Sequence, residues 1–271
     1  MSTSTGVLLV AFILLTAVTV GARVAPEASP RGASGGFFFE DVTIGETTMR
    51  GVIYVPAGLD PAASHPGILF MHGYGECGTD GTRHLTVGLP RAIMQDPANW
   101  PFVVIMPQKP EFAAEWEDFE SHLLALLDRA SDAYGVDPAR MAVTGLSQGG
   151  HGTIALASRY PDQFVAAIPV CPYVDRWNED GAKTRVVTPP DSPELAAAAD
   201  ALAAMPVRLF HGAKDTVTVP SESHVLHDAL LERGGDVEMT IFPEDDHNSW
   251  DSTYQRSGIW TWLASVLEAG S

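Results

Sequence analysis

Six residues carry more chemical information than any other stretch of the chain: Gly145-Leu146-Ser147-Gln148-Gly149-Gly150. They stand between an apolar run at 140–144, which reads as a strand, and an amphipathic pattern ending at Tyr160-Pro161, which reads as a helix. G-x-S-x-G in that setting is a sharp strand-to-helix turn that lifts a serine oxygen clear of a sheet. Glycines two before and two after the serine remove side-chain collisions in the strained turn. Ser147 also stands at a helix N-terminus, where unpaired N–H groups and the helix dipole favour negative charge. The chemistry this suits is nucleophilic attack on an acyl carbon.

An alcohol is a weak nucleophile at neutral pH, so the reading needs a histidine base and a carboxylate to orient it, in the chain order Ser, acid, His. Asp215 in His211-Gly212-Ala213-Lys214-Asp215 and His247 in Pro243-Glu244-Asp245-Asp246-His247-Asn248 both stand in loops directly after strand candidates and take these roles. Asp245 and Asp246 rank second as the acid, because residues one and two places from His247 are poorly placed to face its ring. Donors for an oxyanion are expected in the glycine-rich Met71-His72-Gly73-Tyr74-Gly75-Glu76, which follows another strand, and the backbone N–H groups of Tyr74 and Gln148 are assigned to it. His72 and His211, each followed by Gly, read as braces of their loops, and His151 as a helix-surface or packing residue. Trp116, Trp177 and Trp250 are the tryptophans assigned to the substrate pocket, with Tyr74 beside them.

Eight strands are expected at 37–43, 49–55, 67–71, 102–106, 140–144, 165–170, 207–210 and 237–242, and helices at 84–95, 115–134, 148–159, 221–233 and 249–268. Strand and helix in alternation imply an α/β fold with a mostly parallel eight-stranded sheet covered by helices on both faces, and ligands at the carboxyl ends of the strands. The first two strands, joined without a helix, should form an antiparallel edge. No interval of 20 to 50 residues repeats, which excludes solenoids and propellers. One catalytic domain, 37–271, accounts for the pattern, and 172–205 within it reads either as a small lid over the pocket or as a surface excursion.

Ahead of that domain, residues 7–20 form an uncharged apolar run followed by Val20-Gly21-Ala22 and Arg23. This reads as a signal peptide over 1–22, with an uncleaved membrane anchor as the alternative, and places the protein outside the cytoplasm. Residues 23–36 are rich in Pro, Gly, Ser and Ala and read as a flexible linker. Sixteen basic against thirty-four acidic residues give a net charge of -18, which argues against nucleic acid or an anionic membrane as partner. Export permits a disulfide between Cys77 and Cys171, with two buried unpaired thiols as the favoured alternative.

With HGYGE, GLSQGG, HGAKD and DDHNSW on one chain, the sequence resembles the α/β-hydrolase superfamily. Within it the chain looks like the secreted carboxylesterases and predicted peptidases related to dienelactone hydrolases and polyhydroxybutyrate depolymerases. Met106-Pro107-Gln108, Val136-Asp137-Pro138-Ala139-Arg140 and Tyr160-Pro161-Asp162-Gln163-Phe164 extend the likeness, which runs from about Phe37 to Leu267. The group commonly has Arg where this chain has Cys77, and Met where it has Gln148. The resemblance implies an α/β-hydrolase fold, a Ser147, Asp215 and His247 triad, and hydrolysis of small-molecule or polymer-derived esters through an acyl-enzyme. It also implies no metal and no organic cofactor. A prolyl-oligopeptidase-type peptidase, an acyltransferase and a non-catalytic binder on the same scaffold are the competing readings.

Overall fold

The central strands alternate between two apolar faces, and that alternation sets the architecture. In β3 (His65–Met71) Leu69 and Met71 face one way while Ile68 and Phe70 face the other, and all four are fully buried. A strand buried on both faces must be covered on both. The computed structural model describes residues 35–176 and 187–269, so the expectations for the export signal, for most of the linker and for Trp177 lie outside the described residues.

All eight strands form, in the order β1-β2-β4-β3-β5-β6-β7-β8. β1 (Gly36–Ile44) and β2 (Thr47–Val55) make the antiparallel edge, β2 is also antiparallel to β4 (Val103–Gln108), and every other pairing is parallel. β5 (Val136–Leu146) is the central strand, followed by β6 (Ala166–Val170), β7 (Val207–Gly212) and β8 (Val237–Phe242). This is the expected α/β-hydrolase sheet, mostly parallel, with helices on both sides.

One face packs under α2 (Glu120–Tyr134), α3 (Gln148–Arg159), α4 (Pro193–Leu202) and α5 (Ser221–Glu232), with Leu123, Leu126, Ile154, Leu202 and Leu226 in its core. The other lies under α1 (Gly88–Gln95), α6 (Trp250–Arg256) and α7 (Ile259–Ala269), with Leu89, Tyr254, Leu263 and Leu267.

The differences from expectation have local causes. The helix expected over 249–268 breaks between α6 and α7 at Gly258, whose φ of +76° is left-handed backbone. Gly88, at φ +62°, likewise opens α1 after a break at Val87 from a one-turn 3₁₀ helix (Arg83–Thr86). A 3₁₀ turn (Trp116–Phe119) precedes α2 where one continuous helix was expected. β5 begins earlier than expected, at Val136, with a register shift against β3 between His65 and Gly67. In the stretch 172–205, α4 buries Leu195, Ala198, Ala199 and Leu202 against the core. That part is a structural layer and not a cover.

Candidate active site

Ser147 sits between β5 and α3 at φ 55°, ψ −115°, a conformation that costs a non-glycine residue about 1–3 kcal/mol. The flanking glycines are what allow it. A Cβ on Gly145 would stand 2.2 Å from the Gly149 carbonyl oxygen, and one on Gly149 would stand 2.0 Å from that of Met71. The Ser147 N–H donates to Val170 O at 2.9 Å, tying the turn to the end of β6. Sheet topology therefore places Ser147 at the carboxyl end of the central strand, held from both sides.

Asp215 lies in the turn after β7 and is fully enclosed. Its Oδ1 accepts the N–H groups of Val217 (2.8 Å) and Thr218 (3.0 Å). Its Oδ2 lies 2.7 Å from His247 Nδ1, 2.9 Å from the Thr218 hydroxyl and 3.2 Å from His211 Nε2. Burial pushes the Asp215 pKa up, but hydrogen bonds from His211, His247 and the Val217 N–H outweigh it and hold the carboxyl well below the usual range. With an ionised acceptor on Nδ1, the neutral His247 ring carries its proton there and leaves Nε2 as an acceptor, 3.0 Å from Ser147 Oγ. Gly212 permits this meeting of loops, because a Cβ there would stand 2.1 Å from Asp246 O.

The structure thus brings Ser147, His247 and Asp215 into one hydrogen-bonded line. Asp245 is taken up by the Ser252 hydroxyl and Asp246 accepts from Asn248 N–H, so the second-ranked acids are engaged elsewhere. The Trp250 ring stands edge-on to His247, with centroids 5.4 Å apart.

Tyr74 opens a one-turn 3₁₀ helix (Tyr74–Glu76) and Gln148 opens α3, so each N–H lacks an intrahelical acceptor. The two turns touch: a Cβ on Gly73 would lie 2.9 Å from Leu146 Cδ1 and 3.5 Å from Ser147 Cβ. His72 fixes the first of them. Its Nδ1 donates to Gly73 O at 2.6 Å and its Nε2 accepts the Lys109 N–H at 2.9 Å, a pattern that requires the neutral ring. Burial keeps its pKa far below the ordinary histidine value.

Trp116 corrects one expectation. At 1% exposure it offers no surface to a ligand: its N–H donates to His72 O, and its ring packs where a Cβ on Gly152 would stand 2.8 Å away. It supports the floor of the site from inside the core. Cys77 and Cys171 are buried thiols with no disulfide between them.

Two groups of possible metal ligands come together among the described residues. One, Cys171, Asp215 and His247, overlaps the line just described. In the other, both Glu115 oxygens accept the Tyr173 hydroxyl, and His151 bridges Tyr173 O and Glu117 at 3.3 Å each, so these ligand atoms already have protein partners. A cavity lined by Leu124, Leu127, Ser131 and Val136 lies at the opposite end of β5, away from Ser147.

Sequence reasoning missed Thr218, which grips Asp215 through both its N–H and its hydroxyl. The signal was the Asp-x-x-Thr spacing itself, since an Asp side chain readily bonds backbone two and three residues on.

The sequence pattern of the prolyl oligopeptidase family matches residues 117–269, more than half of the chain. Acetylxylan esterase A of Emericella nidulans is 27% identical over 197 residues, covering 62% of this chain and 62% of its own length. Among solved structures, a thermostable esterase superposes with a TM-score of 0.71 at 25% identity, over 84% of this chain and 62% of that one. A puromycin-hydrolyzing peptidase of Mycobacterium tuberculosis gives 0.67 at 19% identity, over 86% and 39%, a likeness of fold. The chain thus spans about three fifths of the length of the esterases it resembles in sequence. The family match, on a sheet that carries the strained Ser147 turn after its central strand, makes this chain a member of the prolyl oligopeptidase family within the α/β-hydrolases.

Proposed function

We propose that the chain is an exported serine hydrolase that cleaves carboxylic esters of compact acyl or aryl groups. One observation carries this reading: His247 stands 2.7 Å from Asp215 on one nitrogen and 3.0 Å from the Ser147 hydroxyl on the other. In this reading Ser147 Oγ attacks the ester carbonyl and His247 Nε2 takes its proton. The Asp215 carboxylate steadies the imidazolium, and the N–H groups of Tyr74 and Gln148 receive the oxyanion. His247 then protonates the leaving alcohol, and water, activated in the same way, releases the acid. The dipole of α3 favours the developing charge.

The similarity to an acetylxylan esterase and to a thermostable esterase supports ester substrates. The Trp250 ring against His247 supports a small acyl group, because it narrows the space beside the base. Residues 1–22 are proposed as the export signal and 23–36 as a tether. Among the described residues no helix is long and apolar enough to cross a membrane. Kinetics on p-nitrophenyl acetate, butyrate and longer esters tests the substrate class: the short esters should turn over fastest, and much faster cleavage of long-chain esters contradicts it.

The family match favours a second reading, a peptidase using the same residues. Peptide p-nitroanilides compared with the corresponding esters separate the two. Measurable ester turnover with negligible amide turnover supports the esterase, and comparable rates support the peptidase.

A further inference from the structure

A carboxylate outside the Ser147–His247–Asp215 line stands beside it. Glu76 Oε2 lies 3.2 Å from the point where a Cβ on Gly73 would stand, and Ser147 Cβ lies 3.5 Å from the same point, so the two are at most 6.7 Å apart. Among the described residues no side chain hydrogen-bonds the Glu76 carboxylate and none forms an ion pair with it. Burial raises the Glu76 pKa, and the backbone N–H groups of Gly73 and of Glu76 itself, with the more distant Arg83 charge, act against that rise. The buried Lys109 ammonium donates instead to Glu111 O and Ala114 O.

An anion this close to a developing oxyanion opposes it in a partly enclosed site, where charges are poorly screened. Half-buried and in no ion pair among the described residues, Glu76 has a negative charge that a substrate could match. We infer that Glu76 forms a subsite for an ammonium group, so that the preferred esters carry a positive charge close to the scissile bond. The inference rests on the hydrolase reading and adds to it the charge of the substrate. The exposed rings of Tyr74, in the same turn, and Phe112, with centroids 5.2 Å apart, add faces that attract ammonium groups.

The test compares kcat/KM for acetylthiocholine with that for 3,3-dimethylbutyl thioacetate, a neutral ester of the same shape, on the full chain at low salt. The cationic ester should be favoured about tenfold, and Glu76→Gln should bring the ratio close to one. High salt should shrink the wild-type ratio, a readout that does not depend on the variant folding. Equal kcat/KM for the two esters in the wild type removes the subsite while leaving the hydrolase intact. A preference that survives in E76Q assigns it to the overall charge of -18 and also removes the subsite. If E76Q instead abolishes a preference for an acetylated neutral sugar over acetylthiocholine, the ligand is a set of hydroxyls and the ammonium inference fails. Turnover of no ester at all removes the hydrolase reading, and the subsite with it.

Discussion

His72-Gly73, directly after β3, and His211-Gly212, which close β7, are the same dipeptide at the carboxyl ends of two strands, yet the two histidines do different things. Both are fully buried. His72 spends its ring on backbone, joining Gly73 O to Lys109 N–H, and so shapes the turn that offers the Tyr74 amide. His211 bonds Thr218 O and the Ser223 hydroxyl, and its Nε2 also lies 3.2 Å from Asp215. One therefore sets the position of a neutral donor, the other the position of a charge. A brace is a common use of a histidine behind a strand end, but its effect on a reaction depends on what the braced turn presents.

Four substitutions sharpen that contrast. The largest effect belongs to the charge that the β7 turn presents: Asp215→Asn should lower kcat by about 10⁴ and leave the fold intact, because the amide favours the wrong His247 tautomer. A variant that folds and retains more than a tenth of the activity would break the account. Next, His72→Leu should cost about 100-fold in kcat with little change in KM, since in the proposed mechanism the turn it braces acts on the transition state alone. His211→Leu should cost about tenfold, because Val217, Thr218 and His247 still hold Asp215. A larger loss for His211→Leu than for His72→Leu would reverse the proposed division of labour.

The smallest effect on catalysis is expected at His84, whose ring packs 5.9 Å from that of His72. Burial lowers its pKa from 6.5 to about 4. The unfolded chain therefore takes up a proton in that window that the folded chain refuses. The stability this represents is complete above pH 6.5 and is lost as pH falls to about 4, by about 3 kcal/mol. Melting temperatures measured from pH 7 to 4 should fall for the wild type and fall less for His84→Asn. Equal slopes contradict the assignment.

The sequence disclosed the strands and the three residues of the hydrogen-bonded line for the same reason. Apolar runs such as Val103–Met106 have few alternatives to a buried strand, and loops directly after parallel strands must gather at one rim. Ser147, Asp215 and His247 were legible because each follows such a run. Trp116 was misread because an aromatic beside a catalytic loop looks the same in sequence whether it faces solvent or the core, and the vacancy at Gly152 that admits its ring exists only in three dimensions. α4 was hidden in an alanine-rich stretch, 193–202, whose apolar residues look alike on a buried or an exposed helix. The break at Gly258 was readable in principle, but one glycine inside a helical period is a weak signal until its positive φ is known. Glu76 stood in the sequence as the end of HGYGE, and only the approach of the β3 turn to Ser147 gave it a neighbour.

The account rests on a Ser147 hydroxyl made nucleophilic by its two partners. Intact-mass analysis after incubation with a fluorophosphonate probe tests that most directly. One adduct should form on the wild-type chain, map to Ser147 and be absent from Ser147→Ala; a folded wild type that takes no probe, or equal labelling of the two, would contradict it.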